Sequence, residues 1–157
     1  MTKLHFVNMP EGPELHLAGR FINHVCKGRV FGRIFKSEIS KCPPVTTDFP
    51  EFTILASSRG KELKLTLVEN FDTKTAHTNK PRLLDMLFTF GLAGKFDFQD
   101  ASELEKHAHL NFFTCDKGPK MVLSFIDYMR FGKWKPNADF SYKDRGPCVL
   151  TEYESFR

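Results

Sequence analysis

From Val30 to Ile126 the apolar residues recur in short runs with a period of two, and each run is broken by Gly or Pro. The clearest case is Lys61 to Val68, where Leu63, Leu65 and Leu67 alternate with Glu62, Lys64 and Thr66. That pattern gives a strand with one dry and one wet face. Similar runs cover Val30–Ser40, Phe52–Ser57, Leu83–Phe90, Lys95–Phe98, His107–Cys115 and Lys120–Ile126. The breaks are Cys42-Pro43-Pro44, Arg59-Gly60, Gly91-Leu92-Ala93-Gly94 and Asp116-Lys117-Gly118-Pro119, and the last two predict hairpins. Phe supplies 17 residues against 1 Trp and 3 Tyr, which suits pleated, half-buried surfaces. One segment departs from this period. Leu15, Ala18, Phe21, Ile22 and Val25 repeat at helical spacing, with Pro13 and Glu14 suited to the first turn and Gly28 to the C-cap, so a helix is expected over 13–26. The fold class is therefore mainly β: an antiparallel sandwich or barrel of about eight strands with an N-terminal α-helix. Residues 70–81 and 137–146 read as polar connections, and 148–156 as the start of a final helix.

A chain of 157 residues carries one domain with a real core. At 41% hydrophobic and 27% charged residues it is ordinary globular material, which excludes collagen, coiled coil and wholesale disorder. The net charge of +4 is compatible with a polyanionic partner without demanding one. Cys26, Cys42, Cys115 and Cys148 include no C-x-x-C pair, which argues against a zinc knuckle and for reduced intracellular thiols. His107 and His109 share a strand face, but two ligands make no metal site, and no metal is expected. Glu103, Glu105 and Lys106 read as a solvated loop. No apolar run approaches the ~20 residues that cross a bilayer, and the first eight residues lack the apolar stretch of a secretory signal.

The chemistry-bearing stretch is Met9-Pro10-Glu11-Gly12-Pro13-Glu14-Leu15. If translation starts at Met9 and that Met is removed, Pro10 becomes a free secondary amine. A terminal amine has a pKa of about 8 against about 10.4 for Lys, so roughly a fifth of it is neutral at pH 7.4, against about 0.1% of a lysine. Such amines attack carbonyl-like carbons, and a secondary amine gives a permanently charged iminium, a strong electron sink. Glu11 and Glu14 lie three apart at the helix start, suited to a general acid and an electrostatic partner. The helix N-terminus favours their anions, so burial or carboxylate crowding has to raise the pKa of a working acid. Ordinary acidic capping is the plain alternative.

The run Met9 to Ala18, MPEGPELHLA, resembles the N-terminus of the formamidopyrimidine/endonuclease VIII (Fpg/Nei) DNA glycosylases, and is most like their animal Nei-like branch. Ser58-Arg59-Gly60-Lys61-Glu62-Leu63, Phe90-Gly91-Leu92-Ala93-Gly94, His107-Ala108-His109-Leu110, Asp127-Tyr128-Met129-Arg130-Phe131-Gly132 and Arg145-Gly146-Pro147-Cys148-Val149-Leu150 extend the resemblance in order. It covers residues 9–157. It implies a nuclear base-excision repair enzyme whose partner is damaged DNA, with no membrane and no small-molecule cofactor. Such an enzyme cleaves the glycosidic bond of oxidised bases and then nicks the strand by β,δ-elimination. Pro10 corresponds to the nucleophile that attacks C1′, Glu11 to the acid that helps open the sugar, Glu14 to a supporting carboxylate and Lys61 to the DNA-contacting lysine. Leu92 corresponds to a wedge, and Met129, Arg130 and Phe131 to a second loop that fills the void left by a flipped nucleotide.

The resemblance is imperfect at three places. The family usually has Arg-Arg-Phe-Gly where this chain has Met129-Arg130-Phe131-Gly132, which weakens readout of the orphaned base. Residues 1–8 read as a leader or extension before a 9–157 catalytic domain, and while they remain attached the Pro10 nitrogen is an amide that cannot attack. The family's C-terminal helix-two-turn-helix and finger domain is absent from the chain, so weak or no activity is expected of it alone. The rival reading is a non-catalytic truncated isoform or a module that binds DNA or protein.

Overall fold

A computed structural model describes residues 12–70 and 80–140 of the chain. Helix α1 runs Gly12–Cys26 and buries Leu15, Gly19, Ile22 and Cys26, which lie on one stripe. It ends where Gly28 takes φ +72°, and the Arg29 amide donates back to the Cys26 carbonyl at 3.0 Å. Burial holds the Cys26 thiol up to about 12, so it stays protonated at neutral pH.

Eight strands follow: β1 Phe31–Lys36, β2 Phe52–Arg59, β3 Glu62–Glu69, β4 Leu83–Thr89, β5 Lys95–Asp100, β6 Ala108–Thr114, β7 Met121–Ile126 and β8 Lys133–Pro136. They form one antiparallel sheet in the order β5-β7-β6-β1-β2-β3-β4-β8. The join at its middle is narrow, because β1 and β2 share the single register pair Phe31↔Phe52. The sheet therefore behaves as two four-stranded layers that fold against each other across a shared core. Ring contacts cross that core: Phe52 meets Phe112 at 6.3 Å, and Phe88 meets Phe96 at 5.0 Å and Phe125 at 5.3 Å. This is the β-sandwich with an N-terminal helix that the period-two pattern predicts.

Two details differ from expectation. Leu83–Phe90 and Lys95–Phe98 do not form a hairpin: β4 pairs with β3 and β8, whereas β5 pairs with β7. The Gly91–Gly94 turn instead carries the chain from one layer to the other. Local turn chemistry is the same for both cases, and only packing of the Phe88 and Phe96 rings across the core distinguishes them. The first strand also stops at Lys36, well short of Ser40. The Asp116–Pro119 hairpin is present, with β6 and β7 paired antiparallel and a register shift between Ala108 and Leu110. Strand β8 carries too few residues to give a periodic signal. The helix expected over 148–156 and most of the 70–81 loop lie outside the described residues.

Helix α1 is fastened to a strand edge. Beyond Phe52, β2 has no strand partner on its β1 side among the described residues, and Asn23 takes that place. Its side-chain amide donates to the Ala56 carbonyl at 2.8 Å, and its oxygen accepts from the Ala56 amide at 2.7 Å. A side chain thus completes the ladder that β1 leaves open, and it fixes the helix along β2.

The Phe88→Ala substitution empties the contact between the layers and is expected to destabilise the fold by about 3 to 5 kcal/mol. Urea unfolding checks this, with exposed Leu55→Ala expected to change stability by less than about 0.5 kcal/mol.

Candidate nucleic-acid interface

Antiparallel pairing gathers four features at one end of the sandwich. The first residue of β3 and the last of β4 are opposite each other, Glu62↔Thr89. Thr89 also faces the first residue of β8, Lys133. The first residue of β5 faces the last of β7, Lys95↔Ile126. Hence the β2–β3 turn with Lys61, the β4–β5 turn with Leu92 and the β7–β8 loop with Met129, Arg130 and Phe131 all emerge on the same rim. Helix α1 brings its N-terminus to that rim as well, since a Cβ built on Gly12 would lie 3.6 Å from the Gly60 carbonyl. Glu14 and Lys61, expected to act together, stand on these two touching segments. Pro10 and Glu11 lie outside the described residues.

The two apolar loops are in direct contact. Gly91 has φ +62°, and a Cβ there would approach the Gly132 amide nitrogen and the Phe131 carbonyl carbon to 2.7 Å. Only glycine permits this approach. Leu92 is half-buried beside it, whereas Phe131 is 57% and Tyr128 64% exposed. Large rings left this far in water stand out in a protein with a full aromatic core. Lys61 and Arg130 are exposed on the same rim, so cations and apolar side chains are interleaved there.

The sequence reading gave no role to Asp127, which builds the β7–β8 loop. It is fully buried, and its carboxylate accepts three backbone N–H groups. Oδ1 takes those of Met129 at 3.2 Å and Arg130 at 3.0 Å, and Oδ2 takes that of Gly132 at 2.7 Å. This cage holds Arg130 at φ +58°, a left-handed conformation that a non-glycine residue adopts only under such constraint. The Arg130 side chain reaches back to the Ile39 carbonyl at 3.4 Å. The Asp127 carbonyl in turn accepts a hydrogen bond from His109 Nε2 at 2.8 Å. An Asp ahead of a short polar turn is a recognisable signal for such a cage, but its burial is not visible in the sequence. Glu62 is a second buried carboxylate at this end, only 4% exposed, immediately after Lys61.

His107 and His109 do come together, with ring centroids 6.2 Å apart. No group of three or more His, Cys, Asp or Glu converges among the described residues. None of the described helices is long and apolar enough to cross a membrane.

The Asp127→Asn substitution turns one acceptor oxygen into a donor that faces an N–H. It is expected to cost about 1 to 3 kcal/mol and to speed amide exchange at Met129, Arg130 and Gly132. Hydrogen-exchange mass spectrometry reads the second effect, and unchanged exchange in that loop would contradict the cage.

Comparison with known proteins matches residues 9–134 to the formamidopyrimidine-DNA glycosylase N-terminal domain family. The chain is 46% identical to mouse endonuclease 8-like 1 and 43% identical to the human protein of that name, in each case over 150 residues. Those alignments cover 95% of this chain and 37% of each relative, so the chain spans rather more than a third of the proteins it matches. The fold is also that of the Lactococcus lactis Fpg in complex with abasic-site DNA, with a TM-score of 0.58, 19% identity, and coverage of 80% of this chain and 43% of that one. A MutM complex with DNA containing carbocyclic 8-oxo-G agrees at a TM-score of 0.60 and 18% identity. The rim motifs, the sandwich that gathers them and the family match converge on one assignment: the chain belongs to the formamidopyrimidine-DNA glycosylase N-terminal domain family.

Proposed function

We propose that this chain is the catalytic half of a base-excision repair DNA glycosylase with AP lyase activity, acting on oxidised bases in nuclear DNA. The observation that carries the reading is the meeting of the α1 N-terminus with the Gly60–Lys61 turn, on the rim that also bears Leu92 and the Met129–Phe131 loop. Chemistry at a nucleotide needs that nucleotide out of the stack, a filler for the hole and a reactive group at the sugar. Leu92, Met129 and Phe131 are the fillers, and Arg130 and Lys61 hold the phosphate backbone or the orphaned base.

The reacting group in this reading is the Pro10 nitrogen, released from its peptide bond. The amine attacks C1′, its lone pair becomes the new N–C1′ bond as the C1′–base bond breaks, and the amine proton leaves with the departing base. Glu11 gives a proton to the ring oxygen as the sugar opens, leaving an iminium. That iminium acidifies the C2′ proton, and its loss expels the 3′-phosphate; a second elimination expels the 5′-phosphate. Glu14, in the first helical turn, is the supporting carboxylate. The step needs no cofactor. A chain that retains residues 1–8 keeps Pro10 as an amide, and in that form it acts as a DNA-binding module without lyase chemistry.

The test is borohydride trapping on an abasic duplex. A chain beginning at Pro10 is expected to give a covalent adduct, and the 157-residue chain none. No adduct from the Pro10 form, while mouse endonuclease 8-like 1 traps under the same conditions, would sink the lyase claim. The Lys61→Ala change should weaken binding to all sequences alike and reduce the salt slope by about one. Phe131→Ala and Leu92→Ala should each slow adduct formation roughly tenfold, about 1.4 kcal/mol of lost support for the extruded nucleotide.

A further inference from the structure

Behind the β7–β8 loop lies a cavity of about 640 Å³ that the proposed lyase chemistry does not use. Trp134, Phe125 and Pro43 supply the apolar part of its lining. Trp134 and Phe125 are almost fully buried, and the indole N–H donates to the Pro43 carbonyl at 2.8 Å, so this side of the cavity is fixed. One polar side chain in the lining is unfulfilled. His109 is 2% exposed, and its Nδ1 has no hydrogen-bond partner among the described residues. Nε2 donates to a carbonyl, and in the neutral ring that makes Nδ1 the acceptor. A buried acceptor without a donor is costly, and it defines what the cavity lacks: a ligand N–H. Lys41, Lys133 and Lys135 also line the cavity and are exposed, giving it a cationic mouth. The one carboxylate in the lining, Asp127, is occupied by its three backbone N–H groups.

We propose that this cavity is a second nucleotide site, which takes the base of a nucleoside monophosphate unit against its Trp134–Pro43 wall, accepts a base N–H at His109 Nδ1 and holds the phosphate at the lysine mouth. Stacking, one acceptor and a set of cations together select a planar N–H heterocycle joined to a phosphate. The unit is either a free nucleotide or one from a bound strand. The proposal is independent of the Pro10 chemistry, since it uses none of those residues. Asp127 and Arg130 line the cavity too, so an occupant rests against the loop that carries the exposed Phe131.

Trp134 is the only tryptophan of the chain, so its fluorescence reports directly on this cavity. Titration of the 157-residue chain with dAMP is expected to give saturable quenching, with deoxyadenosine binding more weakly and inorganic phosphate giving none. His109→Gln keeps a donor for the Asp127 carbonyl but removes the Nδ1 acceptor. It should weaken dAMP about three- to tenfold at an unchanged melting temperature. The Lys133→Glu, Lys135→Glu pair should weaken dAMP by about tenfold or more while leaving deoxyadenosine unaffected, and it decides the matter if the His109 variant fails to fold. A short duplex that competes with dAMP identifies a strand nucleotide as the occupant, and one that does not identifies a free nucleotide. The proposal is overturned by the absence of saturable quenching with dAMP, by equal quenching with inorganic phosphate, or by a dAMP affinity that the lysine pair leaves unchanged.

Discussion

The single ladder pair between β1 and β2 is the constraint on which the remaining architecture depends. A sheet of eight strands with a full ladder at every join would twist as one surface and leave a face in water. Opening the ladder after Phe31↔Phe52 lets the two halves fold onto each other, and the Phe rings then supply the adhesion. The same opening leaves the edge of β2 unpaired, and Asn23 fills it from the helix. One break in hydrogen bonding thus accounts both for the sandwich and for the position of α1. It follows that the α1 N-terminus stands at Gly60 because of a strand edge more than thirty residues further along the chain.

Rigidity and exposure are divided at the rim in a way that suits the proposed insertion into a duplex. The backbone of the β7–β8 loop is held by a buried carboxylate and pressed against Gly91, while the Phe131 and Tyr128 rings project into water. A wedge on a soft loop would lose its ordering entropy at the moment of insertion, whereas a preorganised one has already lost it on folding. The helix N-terminus adds a positive potential at the same place, and with Lys61 and Arg130 it favours a phosphate backbone over a neutral partner.

Much of this was legible in the residue order, and the reasons are local. Period two, Gly and Pro punctuation and one helical repeat are properties of neighbouring residues, and they are enough for seven of the eight strands and the helix. The segments bearing Glu14, Lys61, Leu92 and the Met129–Phe131 loop could be recognised as motifs because each is a short contiguous run with a fixed residue pattern. The β4–β5 connection was not legible. A Gly-Leu-Ala-Gly turn serves a hairpin or a change of layer equally well, and the choice was made by Phe88 and Phe96 meeting across the core. The role of Asp127 is not legible in the sequence, because a buried cage and an exposed Asx turn share the same residue pattern.

What the chain determines by itself is therefore the class of fold and the short motifs that single out candidate residues, because both follow from spacing along the backbone. Which of those residues share a rim is a tertiary matter. Register places Glu62, Thr89 and Lys133 in line, and that alignment carries three distant turns to one end. The cavity behind the loop belongs to the tertiary structure entirely. Its members come from segments around residues 40, 109 and 134, and the want of a partner at His109 Nδ1 exists only once packing has excluded water from that ring.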